Sequence, residues 1–208
     1  MAGPVRSMVA FSQLLKENLP APETPEDQLH LDLIIESGQK LGDMIQGLLN
    51  FSRLNTVPKQ RISVELEIVV ARCYMQIQPQ LDASQGHFNY PRMPDVIADP
   101  QQMQTVFFNL IDNALKFRKA DTAPDIRIRC EQALDAWLFT VSDNGIGIDP
   151  LFYDDVFRPL RKLHTDEVYP GVGMGLTLAR KIIQAHGGQI WLGPSDMGGL
   201  SVSFTIPR

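Results

Sequence analysis

The chain has 208 residues, a formal charge of -5, 44% hydrophobic and 21% charged residues, a balance expected of a soluble globular protein. That length accommodates one ordinary domain with a smaller element beside it, and the negative charge argues against a nucleic-acid partner, which demands a basic face. No apolar run reaches the roughly 18–20 residues of a membrane span, and the N-terminus lacks a signal peptide's apolar centre, so a cytoplasmic location is expected.

In chain order, residues 1–18 predict a helix after Pro4, with Val5, Met8, Ser12 and Leu15 at alternating three- and four-residue steps. Three prolines in residues 19–26 break it. A longer helix is expected over residues 27–54, where Ile34, Leu41 and Leu48 repeat at seven, as do Met44 and Phe51. Flanked by Ile45 and Leu49, these residues form a coiled-coil-like seam. Two helices joined by a short linker make an antiparallel hairpin whose apolar face one pair cannot cover. A second copy completing a four-helix bundle is the economical solution, so a homodimer is expected; packing of the hairpin on the rest of its own chain is the alternative.

Residues 55–61, with Pro58, read as the boundary between a hairpin at 1–56 and a second domain at 60–208. Beyond it come a strand at 62–64, a helix at 65–81, short strands at 87–90 and 96–98, and adjacent strands at 126–131 and 137–142 joined through 133–135. A helix at 177–185 is ended by Gly187 and Gly188, and strands at 189–192 and 200–206 close around Gly198 and Gly199. Strands that do not follow a regular βαβ order predict an α+β protein: the helical hairpin, then an α/β sandwich in which a mixed sheet is covered by helices. Cys73 and Cys130 lack metal-ligand spacing and are expected to be reduced thiols in packed positions.

Residues 104–119, QTVFFNLIDNALKFRK, predict an apolar helix, with Asp99 as its cap and Pro100 in its first turn. Val106, Phe107, Leu110, Ile111, Ala114 and Leu115 recur at helical spacing and should face a core. Asn109, Asn113 and Lys116 nevertheless stack along one face. Two amides and an ammonium in a row suit a phosphate with a hard cation, because an Asn oxygen can complete an octahedral Mg2+ shell and a Lys supplies a point charge. A solvated helix edge is the plain alternative.

Residues 142–149, SDNGIGID, leave a strand with Asp143 ahead of Gly145 and Gly147. A carboxylate fixed there can accept a hydrogen bond from an exocyclic amine such as that of adenine, while glycine lets the backbone approach a flat ring. An ordinary Asp-Asn-Gly turn would read the same way. Residues 171–176, GVGMGL, carry Gly171, Gly173 and Gly175 into a helix, whose N-terminal N–H groups can receive an anion. No strand runs directly into that loop, which counts against a dinucleotide-binding Rossmann fingerprint.

In this order, NLIDNALKF, DNGIGI, VFRPLRKLH and GVGMGLTLARKIIQAHGG closely resemble the four boxes of the catalytic ATP-binding domain of bacterial sensor histidine kinases. KLHTDEVYPGVGMGLTLARKIIQAHGG is particularly similar to the phytochrome-related members. The resemblance covers essentially the whole chain, residues 1–56 being similar to the dimerisation and phosphoacceptor hairpin and residues 60–208 to the ATP-binding domain. It implies ATP and Mg2+ as cofactors, with Asn113 and Asn109 holding the metal against the phosphates, Lys116 on phosphate and Phe117 along the adenine. Asp143 would take the adenine amine and Gly145 and Gly147 would shape the pocket. Phe157 would anchor one edge of a mobile lid, Gly171, Gly173 and Gly175 its other hinge, and Lys162 would reach phosphate. Phytochrome-like relatives commonly carry Arg where this chain has Lys162, and often a second Phe where it has Leu160.

Hydrolysing members of the same superfamily place a Glu in the Asn109 slot as general base for water. Asn cannot take a proton at neutral pH, so transfer to a protein nucleophile fits better. The family's acceptor motif, aligned on Pro4, puts its His two places before Met1, so no catalytic residue is expected within residues 1–208. His30, His87, His164 and His186 are expected to be structural or surface groups. The implied function is an ATP-dependent protein-histidine kinase that phosphorylates a hairpin His and passes the phosphate to the receiver domain of a response regulator. The alternative is a non-catalytic ATP-binding scaffold that binds a response regulator or another kinase.

Overall fold

In the computed structural model the described residues are 9–14, 25–53, 61–163, 169 and 171–208. They fall into two compact units, one drawn from residues 1–56 and 170–172 and the other from residues 57–169 and 173–208. Of the expected features, the first helix outside 9–14, most of the proline linker, most of the 55–61 boundary and His164 lie outside the described residues.

The first unit holds a helical stretch at residues 9–14 and the long helix α1 (Pro25–Arg53). Gly38 and Ser12 are buried, and a Cβ added to Gly38 would meet the Val9 side chain at 2.6 Å, so the two helical pieces touch where α1 is bare. Three residues of the seam face outward, Ile34 46% exposed, Leu41 47% and Leu48 43%, while Met44 and Phe51 are half-buried.

In the second unit, β1 (Ile62–Glu65) and β3 (Asp95–Ala98) form an antiparallel ribbon of their own. The remaining strands build a five-stranded sheet in the order β2 (His87–Asn89), β4 (Asp125–Gln132), β5 (Ala136–Asp143), β7 (Leu200–Pro207), β6 (Ile190–Pro194). Only the β2–β4 pair is parallel, so the sheet is mixed. Alternation along the strands makes one face apolar. Val202, Phe204 and Ile206 are buried in β7 while Ser201, Ser203 and Thr205 alternate with them, and Ile126 and Ile128 are buried in β4 between exposed arginines.

Three helices supply the second layer: α2 (Leu66–Ala83), α3 (Pro100–Lys116) and α4 (Gly175–Ala185). Leu66, Val69, Val70, Cys73, Ile77 and Leu81 give α2 its buried stripe. In α3, Asp99 Oδ1 accepts the N–H groups of Gln101 and Gln102, both at 3.0 Å, with Pro100 in the first turn. Phe107 of α3 packs edge-on against Phe139 and Phe204, ring centroids 5.9 and 5.5 Å away, and those two stack on each other at 5.2 Å. All three are fully buried, each contributing about 1.5–3 kcal/mol of burial energy, and together they pin α3 to the centre of the sheet.

α3 and α4 run antiparallel. Gly175, which starts α4, lies beside Asn109 and Asn113, and His186, which ends it, lies at the N-terminus of α3. There His186 Nε2 accepts the Asp99 N–H at 3.2 Å and Nδ1 lies 2.8 Å from the Ile182 carbonyl, so Nδ1 carries the proton. Arg61 donates to the Ala185 carbonyl at 3.0 Å, placing a cation on the C-terminal end of α4.

The expected helix over residues 104–119 stops at Lys116. Phe117 leaves helical geometry with ψ 30°, and its carbonyl turns away to accept the Ile146 N–H at 3.0 Å. At the other helix, the expected start at Thr177 moves back to Gly175.

Candidate functional site

Four segments of the second unit converge: the second half of α3, the turn after β5, the turn between β6 and β7, and the start of α4. The α3 edge is polar because Asn109, Asn113 and Lys116 stand at four- and three-residue steps away from the buried stripe. Asn109 Nδ2 donates back to the Thr105 carbonyl at 2.7 Å, which fixes the amide and turns its oxygen outward. A Cβ at Gly175 would stand 2.9 Å from that oxygen and 3.5 Å from Asn113 Nδ2, so the glycine brings bare backbone against the amide pair.

Lys116 Nζ sits 5.0 Å from the Phe117 ring centroid. Burial pushes the Lys116 ammonium down and the Asp112 carboxyl up, and the charge of each, one helical turn from the other, partly restores its partner. Asp112 thus supplies the local counter-charge to Lys116, a residue the polar stripe did not single out because it lies beside it on the helix.

Asp143 ends β5 and is 9% exposed. Its Oδ1 accepts two main-chain N–H groups, from Gly145 at 2.8 Å and Leu200 at 3.1 Å. Oδ2 accepts none from the described residues. Burial pushes the carboxyl up, while the N–H groups of Leu200 and Gly145 and the charge of Lys119 act in the opposite direction. The outcome is a carboxylate locked in orientation with one oxygen left to accept.

The turn is packed so closely that substitution is excluded sterically. A Cβ at Gly145 would lie 2.4 Å from the Phe117 carbonyl oxygen, and one at Gly199 would lie 2.2 Å from Asp143 Oδ1. Gly199 and Leu200 also border Asp143, although the sequence offers them only as part of a turn and as the first residue of a strand. A signal was present: Gly198 takes φ 84° and serves the turn, whereas the glycine after it needs another reason, which is Asp143. Gly147 takes φ 70°, and a Cβ added there would meet the Gly199 carbonyl oxygen only at an ordinary 3.5 Å, so its backbone conformation rather than crowding calls for glycine.

Residues 160 and 173 close the base of the intervening loop. The Leu160 N–H donates to the Gly173 carbonyl at 3.1 Å, with Leu160 at φ 61° and Gly173 at φ 72°. Phe157 is buried, and Arg180 of α4 stacks over its ring at 4.7 Å and donates to its carbonyl at 3.4 Å. Lys162 donates to the Tyr169 carbonyl at 3.3 Å. Gly171 takes φ 147° and groups with the other unit. No side chain caps α4, and the Thr177 hydroxyl in its first turn is buried without a partner.

The donor set on α3 suits Mg2+, since amide oxygens are hard ligands. Among the described residues no group of three His, Cys, Asp or Glu side chains could hold a metal by itself, so a cation here would be held jointly with oxygens of a ligand. No helix among the described residues is long and apolar enough to cross a membrane.

This sandwich, with its amide-bearing helix edge facing a glycine turn, has the fold of the histidine kinase catalytic domains. The family model for the histidine kinase-, DNA gyrase B-, and HSP90-like ATPases matches residues 98–208, and the chain belongs to that family. It is 33% identical to the phytochrome-like protein Cph1 of Synechocystis over 98% of this chain and 27% of the relative; the chain spans about a quarter of the length of such curated relatives. Among solved structures it is similar to full-length ShkA in complex with AMPPNP, with a TM-score of 0.74 and 21% identity over 98% of this chain and 43% of that one. It is also similar to histidine kinase ThkA in complex with the response regulator TrrA, with a TM-score of 0.69 and 22% identity over 99% of this chain and 58% of that one.

Proposed function

We propose that the chain is the ATP-binding kinase core of a two-component sensor histidine kinase, residues 60–208 binding Mg2+ and ATP and residues 1–56 forming the dimerisation and phosphoacceptor hairpin. The observation that carries this is Asp143: two main-chain donors hold Oδ1 and leave Oδ2 open, an acceptor suited to an exocyclic amine. In this reading Asn109 and Asn113 hold Mg2+, Lys116 and Lys162 meet the phosphates, Phe117 lies along the base, and Gly145 and Gly147 admit it. Gly171, Gly173 and Gly175 let the loop and the N-terminus of α4 approach the phosphates. Mg2+, when bound, neutralises phosphate charge.

The chemistry follows from what the site lacks among its donors. Asn109 cannot serve as a general base, so the site positions the γ-phosphate and offsets its charge without activating water. The acceptor is then a His of the hairpin, and the phosphate passes on to a response-regulator Asp, in a homodimer located in the cytoplasm. The complex of ThkA with a response regulator supports that partner class. His186 is buried with both ring nitrogens engaged, His87 lies on β2 and His30 is exposed on α1. The second reading is an ATP-binding scaffold that engages a response regulator or another kinase.

Calorimetry with Mg2+ and a non-hydrolysable ATP analogue tests the site, and absence of binding would sink both readings. Incorporation of labelled γ-phosphate tests the transfer, the expected result being acid-labile label only when the His-acidic motif is present ahead of residue 1. Label on residues 1–208 that disappears on changing His30, His87, His164 or His186 would overturn the assignment of the acceptor.

A further inference from the structure

Phe117 has a neighbour that neither the box motifs nor the polar stripe assigns a role. The Tyr169 ring lies 5.0 Å from the Phe117 ring, tilted by 46°. Its hydroxyl donates to the Arg118 carbonyl at 3.4 Å, and its own carbonyl accepts from Lys162 at 3.3 Å. Tyr169 is therefore held at both ends, by the main chain just beyond α3 and by the loop that leaves Phe157. Both rings are half-buried, unlike the Phe107, Phe139 and Phe204 cluster of the core, so the pair keeps aromatic surface open.

Position gives that surface a purpose. The Phe117 carbonyl meets Gly145 and Ile146, which sets the residue that carries the ring pair against the turn that holds Asp143 and its open oxygen. Lys116 Nζ stands over the Phe117 ring itself, 5.0 Å from its centroid. A flat heteroaromatic ring presenting an amine to Asp143 would extend toward Phe117, and every such base has a π-face that an aromatic side chain can stack against. Resting on the ATP reading of this site, we propose that Tyr169 is a base-recognition residue, its ring adding a second aromatic wall beside Phe117. Tyr169 then reads the base, whereas Asn109, Asn113 and Lys116 answer to the phosphates.

The test separates base from phosphate. Binding of the Mg2+ complexes of a non-hydrolysable ATP analogue and of tripolyphosphate is measured by calorimetry on the full chain, for the wild type, Tyr169→Ala, Tyr169→Phe and Asp143→Asn. Tyr169→Ala should weaken the analogue by about five- to a hundred-fold and leave tripolyphosphate unchanged, and Tyr169→Phe should keep most of the affinity. Tighter or unaltered binding of the analogue by Tyr169→Ala, or equal losses for both probes, would overturn the inference. Loss in Asp143→Asn with none in Tyr169→Ala would leave the ATP site standing without Tyr169, whereas a wild type that binds neither probe removes the site itself.

Discussion

Gly175 lies against Asn109 so closely that the smallest side chain at 175 would reach within 2.9 Å of the amide oxygen. Its φ is not in the left-handed region, so Gly175→Ala fits the backbone and gains up to about 1 kcal/mol, offset by the Asn109–Thr105 hydrogen bond that the shift gives up, about 0.5–1.5 kcal/mol, and stability should stay about level. The Asn109 amide must turn aside, and Mg2+-dependent binding of the ATP analogue should fall. Thermal unfolding and calorimetry on the same sample decide it; a stable variant with undiminished affinity removes Asn109 from the site.

Asp143→Asn should weaken the analogue by about 1–3 kcal/mol, because the amide puts a donor where Oδ2 accepts. Burial raises the Asp143 carboxyl, so the folded chain binds this proton at higher pH than the unfolded one. The stability that Asp143 contributes is then largest in acid and declines as pH rises through the window above the ordinary Asp value. Affinity should run the other way, lost on acidification before an ordinary carboxylate would protonate. The substitution should flatten both dependences, which denaturant titrations and calorimetry across pH would reveal.

The polar stripe of α3 was legible because a helix repeats every few residues: Asn109, Asn113 and Lys116 needed only their spacing to be seen on one face. Asp143 was legible from the strand before it and the glycines after it. Leu200 was not, since its N–H reaches Asp143 across 57 residues and no local period carries that information. Strand pairing has the same character, and β1 with β3 could be read as strands but not as a ribbon apart from the main sheet. The end of α3 at Lys116 was hidden for a related reason, the Phe117 carbonyl being claimed by Ile146 from a distant turn.

Charged replacement of Leu41 and Leu48 should leave the second unit folded and reduce the mass in solution. Both side chains are nearly half exposed in the single chain, and covering what remains of each by a second copy would contribute about 1.5 kcal/mol at most. Sedimentation equilibrium of Leu41→Glu with Leu48→Glu against the wild type is the measurement. An unchanged mass would place any association elsewhere.

Both thiols should resist alkylation at pH 8. Burial pushes Cys73 up to about 12, and burial with the charge of Glu131 pushes Cys130 up to about 11; the thiolate is the reactive form. Cys130, half-buried on β4, should react first, and Cys73, fully buried with its Sγ 3.7 Å from the Gln104 carbonyl, only on unfolding. Mass spectrometry of timed labelling checks the order, and rapid modification of Cys73 in the native chain would contradict its placement.

β7 lies inside the sheet, between β5 and β6, although it follows both in the chain. A ribosome therefore releases β5, with β4 already made to pair one of its edges, well before β7 and the Leu200 N–H exist, by about 3–11 s for the 57 residues that separate Asp143 from Leu200 at roughly 5–20 residues per second. Through that interval β5 presents an unpaired edge and an apolar face, the kind of surface that chaperones hold and other nascent chains invade. Folding of this unit is thereby deferred until synthesis has passed residue 207, and a premature stop within β7 leaves a β5 edge with nothing to close it.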